Sequence, residues 1–413
     1  MNLLKRWFGR PFGLSDAEPW SAFYGGASHS GKAVTIDSAL QLSTFWACVR
    51  LTAGAMASMP LQLFEKDANG GRHPANHALA DLLTVSPDGE RTAFEFWEAV
   101  TAWLLVSGNS YAEISRIGGR IVSLNLIASD QVTVSRDDDG DLEYRFTDRG
   151  RAVVLPAANM LHLKGFGFGG DLGLSVIKYG VQTLGSAIAA EETAGKILGN
   201  GMMPSGVLSA DQELTDPQRT QLTEIMKAYA SSANAGKMMV LEAGLKFDQL
   251  SLNPEDGQLL ETRAFSVEDV CRWFGAPPIL VGHAANGVTA WGSGIEALVL
   301  QWLTTGLNPI AKRIEDRIRL QLLTPGERAR YYPEFNRESL LQADSAAKAA
   351  FLSSMVQNGL MTRAEGRQKL NLPARPEADF LTVQTNLAPL DKLGATDPAA
   401  TIRGALGIGE TVR

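Results

Sequence analysis

The sequence predicts an α+β chain of several domains, built on long helices with a small α+β module inserted between two of them. Three observations carry that expectation. Long segments place apolar residues at helical spacing, short alternating runs crowd between 110 and 156, and a glycine and proline stop interrupts the helical pattern at 275–278. The stretch 253–282, NPEDGQLLETRAFSVEDVCRWFGAPPILVG, holds that stop. Pro254 stands where a first-turn proline is tolerated, Glu255 and Asp256 place negative charge at the helix start, and Leu259, Leu260, Phe265, Val267, Val270 and Phe274 form an apolar stripe. Gly275 then ends the helix and Pro277-Pro278 forbids its resumption. The following HAANGVTAWGSG, 283–294, is too rich in glycine and small residues for regular structure. Pattern alone favours a surface hairpin between two core helices.

In chain order, 35–59 carries helical spacing with Asp37 or Ser38 as cap, closed by Pro60. LQLFEKD alternates like a strand and NGGRHP is a turn. A short helix over 77–83 precedes an amphipathic one over 93–107, capped by Thr92. SYAEISR, IVSLNLI, QVTVSRD, LEYRFTD and AVVLP then read as strands separated by GGR and DDDGD turns, and MLHLK is strand-like too. Between 173 and 199 the chain is helical but crowded with Gly, Ala and Ser. Small residues at that density let another backbone approach closely, within the subunit or from a second one. GMMPSGVLS breaks the helix, 215–231 forms another, and KMMVLEAGLKFDQLSL reads as two short strands around a glycine turn. A long helix over 295–323 carries an apolar stripe through Leu303, Leu307, Ile310, Ile314 and Ile318, with a kink expected at Pro309. The stretch 335–372 is read as helical, with a tight turn at Asn358-Gly359 and a last helix capped by Thr362 with Glu365 as its partner. From about 374 onward no apolar stripe persists, and a mobile tail is expected.

The chain has 413 residues, 45% of them hydrophobic and 20% charged, which gives room for two or three ordinary cores. Its formal charge of -7 argues against a broad basic face that grips nucleic acid, because phosphate neutralisation by Lys and Arg dominates such binding. It does not exclude a protein that lets DNA slide past. Cys48 and Cys271 are far apart in sequence and suggest neither a disulfide framework nor a zinc site. The chain offers no apolar run long enough for a membrane span, and MNLLKRWFGRPFG has no signal-peptide core. A cytoplasmic product with a mobile N-terminal arm, 1–34, is expected.

Three fragments invite an enzymatic reading. Gly165 to Gly170, GFGFGG, satisfies the dinucleotide glycine pattern after a strand-like run, and a nucleotide (NAD or ATP)-dependent enzyme is the alternative it supports. Glu191 and Glu192, however, sit inside a continuing helix rather than at the end of a second parallel strand. The fragment around Gly31-Lys32 has Ala33 where a phosphate loop needs a hydroxyl. His73 and His77 are separated by a turn at Pro74, which spoils a helical metal pair. His29 and His162 have no obvious partner, and His283 belongs to the glycine-rich loop. No catalytic residue, cofactor or metal is expected, and the chain is read as no enzyme.

Several blocks together resemble one family. FWACVRLTAGAMASMPLQLFEK, EFWEAVTAWLLVSGNSYAEI, GLSVI with GNGMMPSGVLS, LSLNPEDGQLLETRAFSVEDVCRWFGAPPILVG, and MVQNGLMTRAEGRQKLNLP follow in order across 35–372. They are similar to the portal proteins of tailed bacteriophages, in the shorter form also found in prophages and gene transfer agents. The resemblance implies a ring, usually of twelve subunits, at a capsid vertex of the virion, assembled in the host bacterial cytoplasm. Double-stranded DNA would be packaged and ejected through it. Implied partners are the terminase large subunit as packaging ATPase, the major capsid protein and a head-tail adaptor; a ring adaptor without DNA is a further alternative. The resemblance divides the chain into a wing (35–172), a stem helix (173–201), a clip (202–252) and a second stem helix (253–275). A tunnel loop (276–292), a long kinked helix returning to the wing (293–334), a helical crown (335–385) and a mobile tail (386–413) complete it. His283, Asn286, Thr289 and Trp291 are the implied channel residues, with Trp291 alternatively anchoring the loop root. Gly180, Gly185, Ala189 and Ala190 are the implied stem packing residues between subunits.

Overall fold

The first helical segment is two helices rather than one, α1 (Ile36–Leu40) and α2 (Ser43–Ser58). The cap is Thr35, upstream of the expected Asp37 or Ser38: its hydroxyl accepts from the Ser38 N–H while the Ser38 hydroxyl accepts from the Thr35 N–H, a reciprocal box. The computed structural model describes residues 28–67, 70–199, 206–209, 215–229, 246–249, 256–283, 293–341, 345–370, 372–373, 375 and 379–382. It divides into two units, Met1–Asn336 and Arg337–Arg413.

In the first unit, strand β1 (Leu61–Lys66) alternates buried and part-exposed residues as its sequence demands, and β2 (Arg72–Pro74) pairs with it, so the last three residues of the stretch expected as a turn are strand. Helix α3 (Ala78–Thr84) is capped by the His77 ring, so His77 is a capping residue. Helix α4 (Ala93–Ser107) has the Thr92–Glu95 capping box at its start and Gly108 in the left-handed conformation at its end. Strands β3 (Asn109–Ile117), β4 (Arg120–Ile127), β5 (Thr133–Arg136), β6 (Leu142–Asp148), β7 (Arg151–Pro156) and β8 (Met160–Lys164) follow. They form two antiparallel sheets, β4-β3-β8 and β5-β6-β7, which share a core of Tyr111, Val132, Tyr144, Phe146 and Met160.

Strand β11 (Tyr331–Phe335) completes a third sheet, β11-β1-β2. The sequence predicts a helical stretch that begins at Phe335. Phe335 is instead the last residue of an edge strand, 1% exposed, donating its N–H to Glu315 Oε1 at 2.9 Å. Pro333 disguises this strand in sequence, and a proline is tolerated there because the strand lies at an edge.

The small-residue segment splits at Gly180 into α5 (Val176–Tyr179) and α6 (Val181–Gly199). The inserted module contains β9 (Gly206–Ser209), α7 (Asp216–Tyr229) and β10 (Lys246–Gln249). Strand β10 lies in the stretch read as two short strands and pairs antiparallel with β9, which lies before α7 inside the segment read as a helix break. The rest of that stretch, 237–245 and 250–252, lies outside the described residues. Helix α8 (Asp256–Phe274) comes next, and α9 (Ser293–Trp302) begins after 284–292. The kink expected at Pro309 is a π turn, Leu303–Leu307, followed by α10 (Asn308–Leu322). Pro309 has no N–H and would clash with a carbonyl in α register; the wider turn, in which Asn308 N–H donates to Leu303, absorbs the conflict.

The second unit contains α11 (Ser345–Gln357) and α12 (Arg363–Lys369) around the Asn358-Gly359 turn, with Gly359 at φ +69°. Thr362 and Glu365 form the expected capping box.

Candidate functional site

The programmed stop is a complete Schellman motif. Gly275 takes φ +62° and donates to Arg272 O at 3.3 Å, while Ala276 N–H reaches Cys271 O at 3.1 Å. Pro277 is extended, Pro278 opens a single 3-10 turn (Pro278–Val281), and Gly282 at φ +84° ends it. His283 N–H closes back onto Pro278 O at 3.0 Å. Two glycines in left-handed conformation and two prolines thus aim the chain out of α8 along one direction.

Packing holds the end of α8 in place. Phe274 meets Phe45 of α2 edge to face, centroids 5.0 Å apart, and Cys271 lies with Cys48, Val49, Val270 and Leu184 in one core. Trp273 lays its ring on Gly180, where a Cβ would stand 3.4 Å from the indole, and its Nε1 donates to Thr183 Oγ1 at 3.3 Å. Arg272 is committed to Glu268 and Asp269 on its own helix. The stop is therefore fixed by side chains of α2 and α6.

His283 sits in a cleft of about 290 Å³ between α6, α8 and the start of α2, beside Ala190, Glu191, Val267 and Thr44. The structure so brings together two residues singled out from sequence, His283 and Ala190. Ala189 is half-buried on the same helix. Asn286, Thr289 and Trp291 lie outside the described residues. Gly185 and Gly180 have causes within the chain: at Gly185 a Cβ would fall 2.2 Å from Ser28, and at Gly180 it would fall 2.7 Å from Val176 O, with the Trp273 ring at ordinary contact distance. Residues 28–32 lie along α6 there, with Ser30 Oγ donating to Gly185 O, Gln182 accepting from the His29 N–H, and Lys32 paired with Glu192 at 2.5 Å.

A polar cluster, invisible in sequence, fixes where the chain leaves β8 on its way to α5. Asn109 Oδ1 accepts from Gly173 N–H at 2.7 Å and its Nδ2 donates to Gly173 O at 3.1 Å. The same Oδ1 lies 3.0 Å from His162 Nε2, so that nitrogen carries the proton, and Nδ1 accepts from Tyr144 Oη at 3.1 Å. Burial, reinforced by Lys164 and Arg317, pushes His162 down to about 3 and keeps it neutral. His162, without a visible partner in sequence, is a fully partnered core residue. The spacing of Asn109 and Gly173, 64 positions, left no local signal for it.

The glycine-rich Gly165–Gly170 turn does not make a dinucleotide site. The strand before it, β8, runs antiparallel to β3, whereas that site needs parallel strands. Gly165 and Gly173 instead let backbone pass Gly108, and Phe166 and Phe168 point to solvent. Among the described residues no group of acidic, His and Cys side chains has metal-binding geometry, and no helix is long and apolar enough to cross a membrane.

Residues 43–371 match the family described as phage portal protein. The chain is 35% identical to the portal protein of Enterobacteria phage HK97 over 359 residues, covering 86% of this chain and 84% of that one. It is 28% identical to the probable portal protein of Streptomyces phage phiC31, over 86% of this chain and 79% of that protein. The fold is similar to a chain in the virion of a native gene transfer agent particle, with TM-score 0.57 at 23% identity over 90% of this chain and 98% of the other. It is also similar to a crystal structure of an HK97-family phage portal protein from Corynebacterium diphtheriae, with TM-score 0.58 at 17% identity over 76% and 100%. With residues 43–371 matched to the family model and 35% identity to a portal protein over 86% of its length, the chain belongs to the phage portal protein family.

Proposed function

We propose that this protein is the portal of a tailed particle: copies close into a ring at one capsid vertex, and double-stranded DNA enters and leaves through the axial channel. The observation that carries this reading is the 35% identity to the HK97 portal protein across 86% of the chain. A related fold occurs in the neck of a native gene transfer agent particle computed with C12 symmetry, at TM-score 0.55 and 24% identity, which supports a twelvefold ring. The family is structural, and the chain is assigned no catalysis; ATP would be consumed by a terminase large subunit. That motor, and later a head-tail adaptor, would dock on the clip at 202–252, while the major capsid protein would surround the wing at 35–172.

In this reading the stem is α5 and α6 with α8, and the second unit supplies the crown. The tunnel loop, 276–292, starts from the helix stop at Gly275 and Gly282. His283, Asn286, Thr289 and Trp291 are its DNA-facing candidates, and Ala189 and Ala190 the stem positions left for a neighbouring subunit. The net charge of -7 suits a channel in which DNA slides, because each neutralised phosphate would add salt-dependent affinity and slow it. End-on electron micrographs of the purified oligomer test the proposal. A ring with an axial hole is expected, and a closed dimer overturns it.

A further inference from the structure

Cys48 on α2 and Cys271 on α8 are 223 positions apart in sequence, yet packing brings their sulfurs to 3.8 Å. Both are free thiols, 0% and 1% exposed. The Phe45–Phe274 contact lies three residues from each cysteine, so the helix crossing itself is held there. A disulfide needs its sulfurs at about 2.05 Å, which side-chain rotation and a small helix adjustment can supply from this starting distance. The two thiols also polarise each other. Cys48 is pushed up, chiefly by its hydrogen bond with Cys271 and then by burial; Cys271 is pushed down, chiefly by the same bond. The first thiolate therefore forms on Cys271, a residue that also borders a cleft of about 380 Å³ beside Gly275, Pro278 and Trp302.

We propose that Cys48 and Cys271 are an oxidisable pair that closes an internal disulfide between α2 and α8, one turn before the stop at Gly275. A hydroperoxide is the oxidant. The Cys271 thiolate attacks a peroxide oxygen, the O–O bond breaks, and the released oxygen leaves as water after taking up a proton; Cys271 is now a sulfenic acid. The Cys48 sulfur then attacks Sγ of Cys271, the S–O bond breaks, and the hydroxide departs as a second water with the proton from Cys48. Two thiols lose two electrons and one hydrogen peroxide becomes two waters. Reducing cytoplasm keeps such a pair open, while an extracellular particle is a setting in which it persists closed. The geometry belongs to one chain and stands apart from the portal reading.

The test treats the full-length purified protein with hydrogen peroxide in native buffer, quenches it, alkylates it with iodoacetamide in denaturant, and measures intact mass and a peptide map. Untreated chain is expected to take up two alkyl groups. Treated chain is expected to take up none, to weigh two hydrogens less, and to yield one peptide pair joining Cys48 to Cys271 that dithiothreitol separates. Cys48→Ala and Cys271→Ala each remove the linked pair; should either misfold, the wild-type peptide map still decides. Treated chains that alkylate at both cysteines, stop at sulfinic acid, or link one copy to another overturn the proposal. Ring assembly is not read in this experiment, so its outcome leaves the portal reading untouched.

Discussion

His162 shows how one residue couples burial to pH. Its unfolded value is about 6.5, and its folded value is about 3. Between those values the unfolded chain binds a proton that the folded chain refuses. Its contribution to stability is therefore full above about pH 6.5 and falls as the pH drops towards the folded value. In urea titrations His162→Asn is expected to flatten the decline between about pH 6.5 and 5 and to lower stability at pH 7 by about 1–3 kcal/mol, because Tyr144 and Asn109 lose a partner. An unchanged slope would show that His162 is not the group that titrates. Gly108 makes a second residue-scale case. It holds φ +74°, and an added Cβ would lie 2.3 Å from Leu174 O. Gly108→Ala is expected to destabilise by on the order of 3 kcal/mol, combining backbone strain with overpacking. Gly118→Ala, at φ +57° in open space, is the control and should cost about 1 kcal/mol in the same denaturation assay.

At the scale of elements, the stop after α8 depends on its cap and its aromatic anchor in different ways. Gly275 has open space around it, so Gly275→Ala is expected to cost only the left-handed strain, about 1–2 kcal/mol, and to keep the Schellman bonds. Phe274→Ala empties part of the core shared with α2 and should cost about 3–5 kcal/mol. A double-mutant cycle with Phe45→Ala should recover a coupling of about 0.5–1.5 kcal/mol for the edge-to-face pair, and additivity would refute that contact. Helix α10 works differently, by closing sheet edges. Gln321 bonds both Met160 O and His162 N–H on the outer edge of β8, and Glu315 takes the Phe335 N–H of β11.

At the scale of the whole molecule, charge in the proposed channel governs how DNA would slide through it. Asn286→Lys would place a ring of cations in the tunnel loop. Ring assembly is expected to be unchanged, while DNA packaging slows at low salt and recovers as salt rises, because released counterions make phosphate contacts salt-dependent. A packaging rate indifferent to both substitution and salt would remove 276–292 from the channel lining.

What the sequence determined by itself is everything whose physics is local. Capping boxes at Thr92 and Thr362, the turn at Asn358-Gly359 and the helix stop at Gly275 each need only residues within one turn, and each is built where its sequence says. The period-2 runs of β3 to β7 were legible for the same reason. Tertiary structure decided what depends on a partner far along the chain. β11 hides behind Pro333 until β1 offers it an edge, β9 pairs with β10 from across the intervening helix, and Gly185 is small because Ser28 occupies its space. The meeting of Cys48 with Cys271 is of that kind as well. Burial is a property of the assembled fold, and no spacing along one helix specifies which side chain of another will fill its groove.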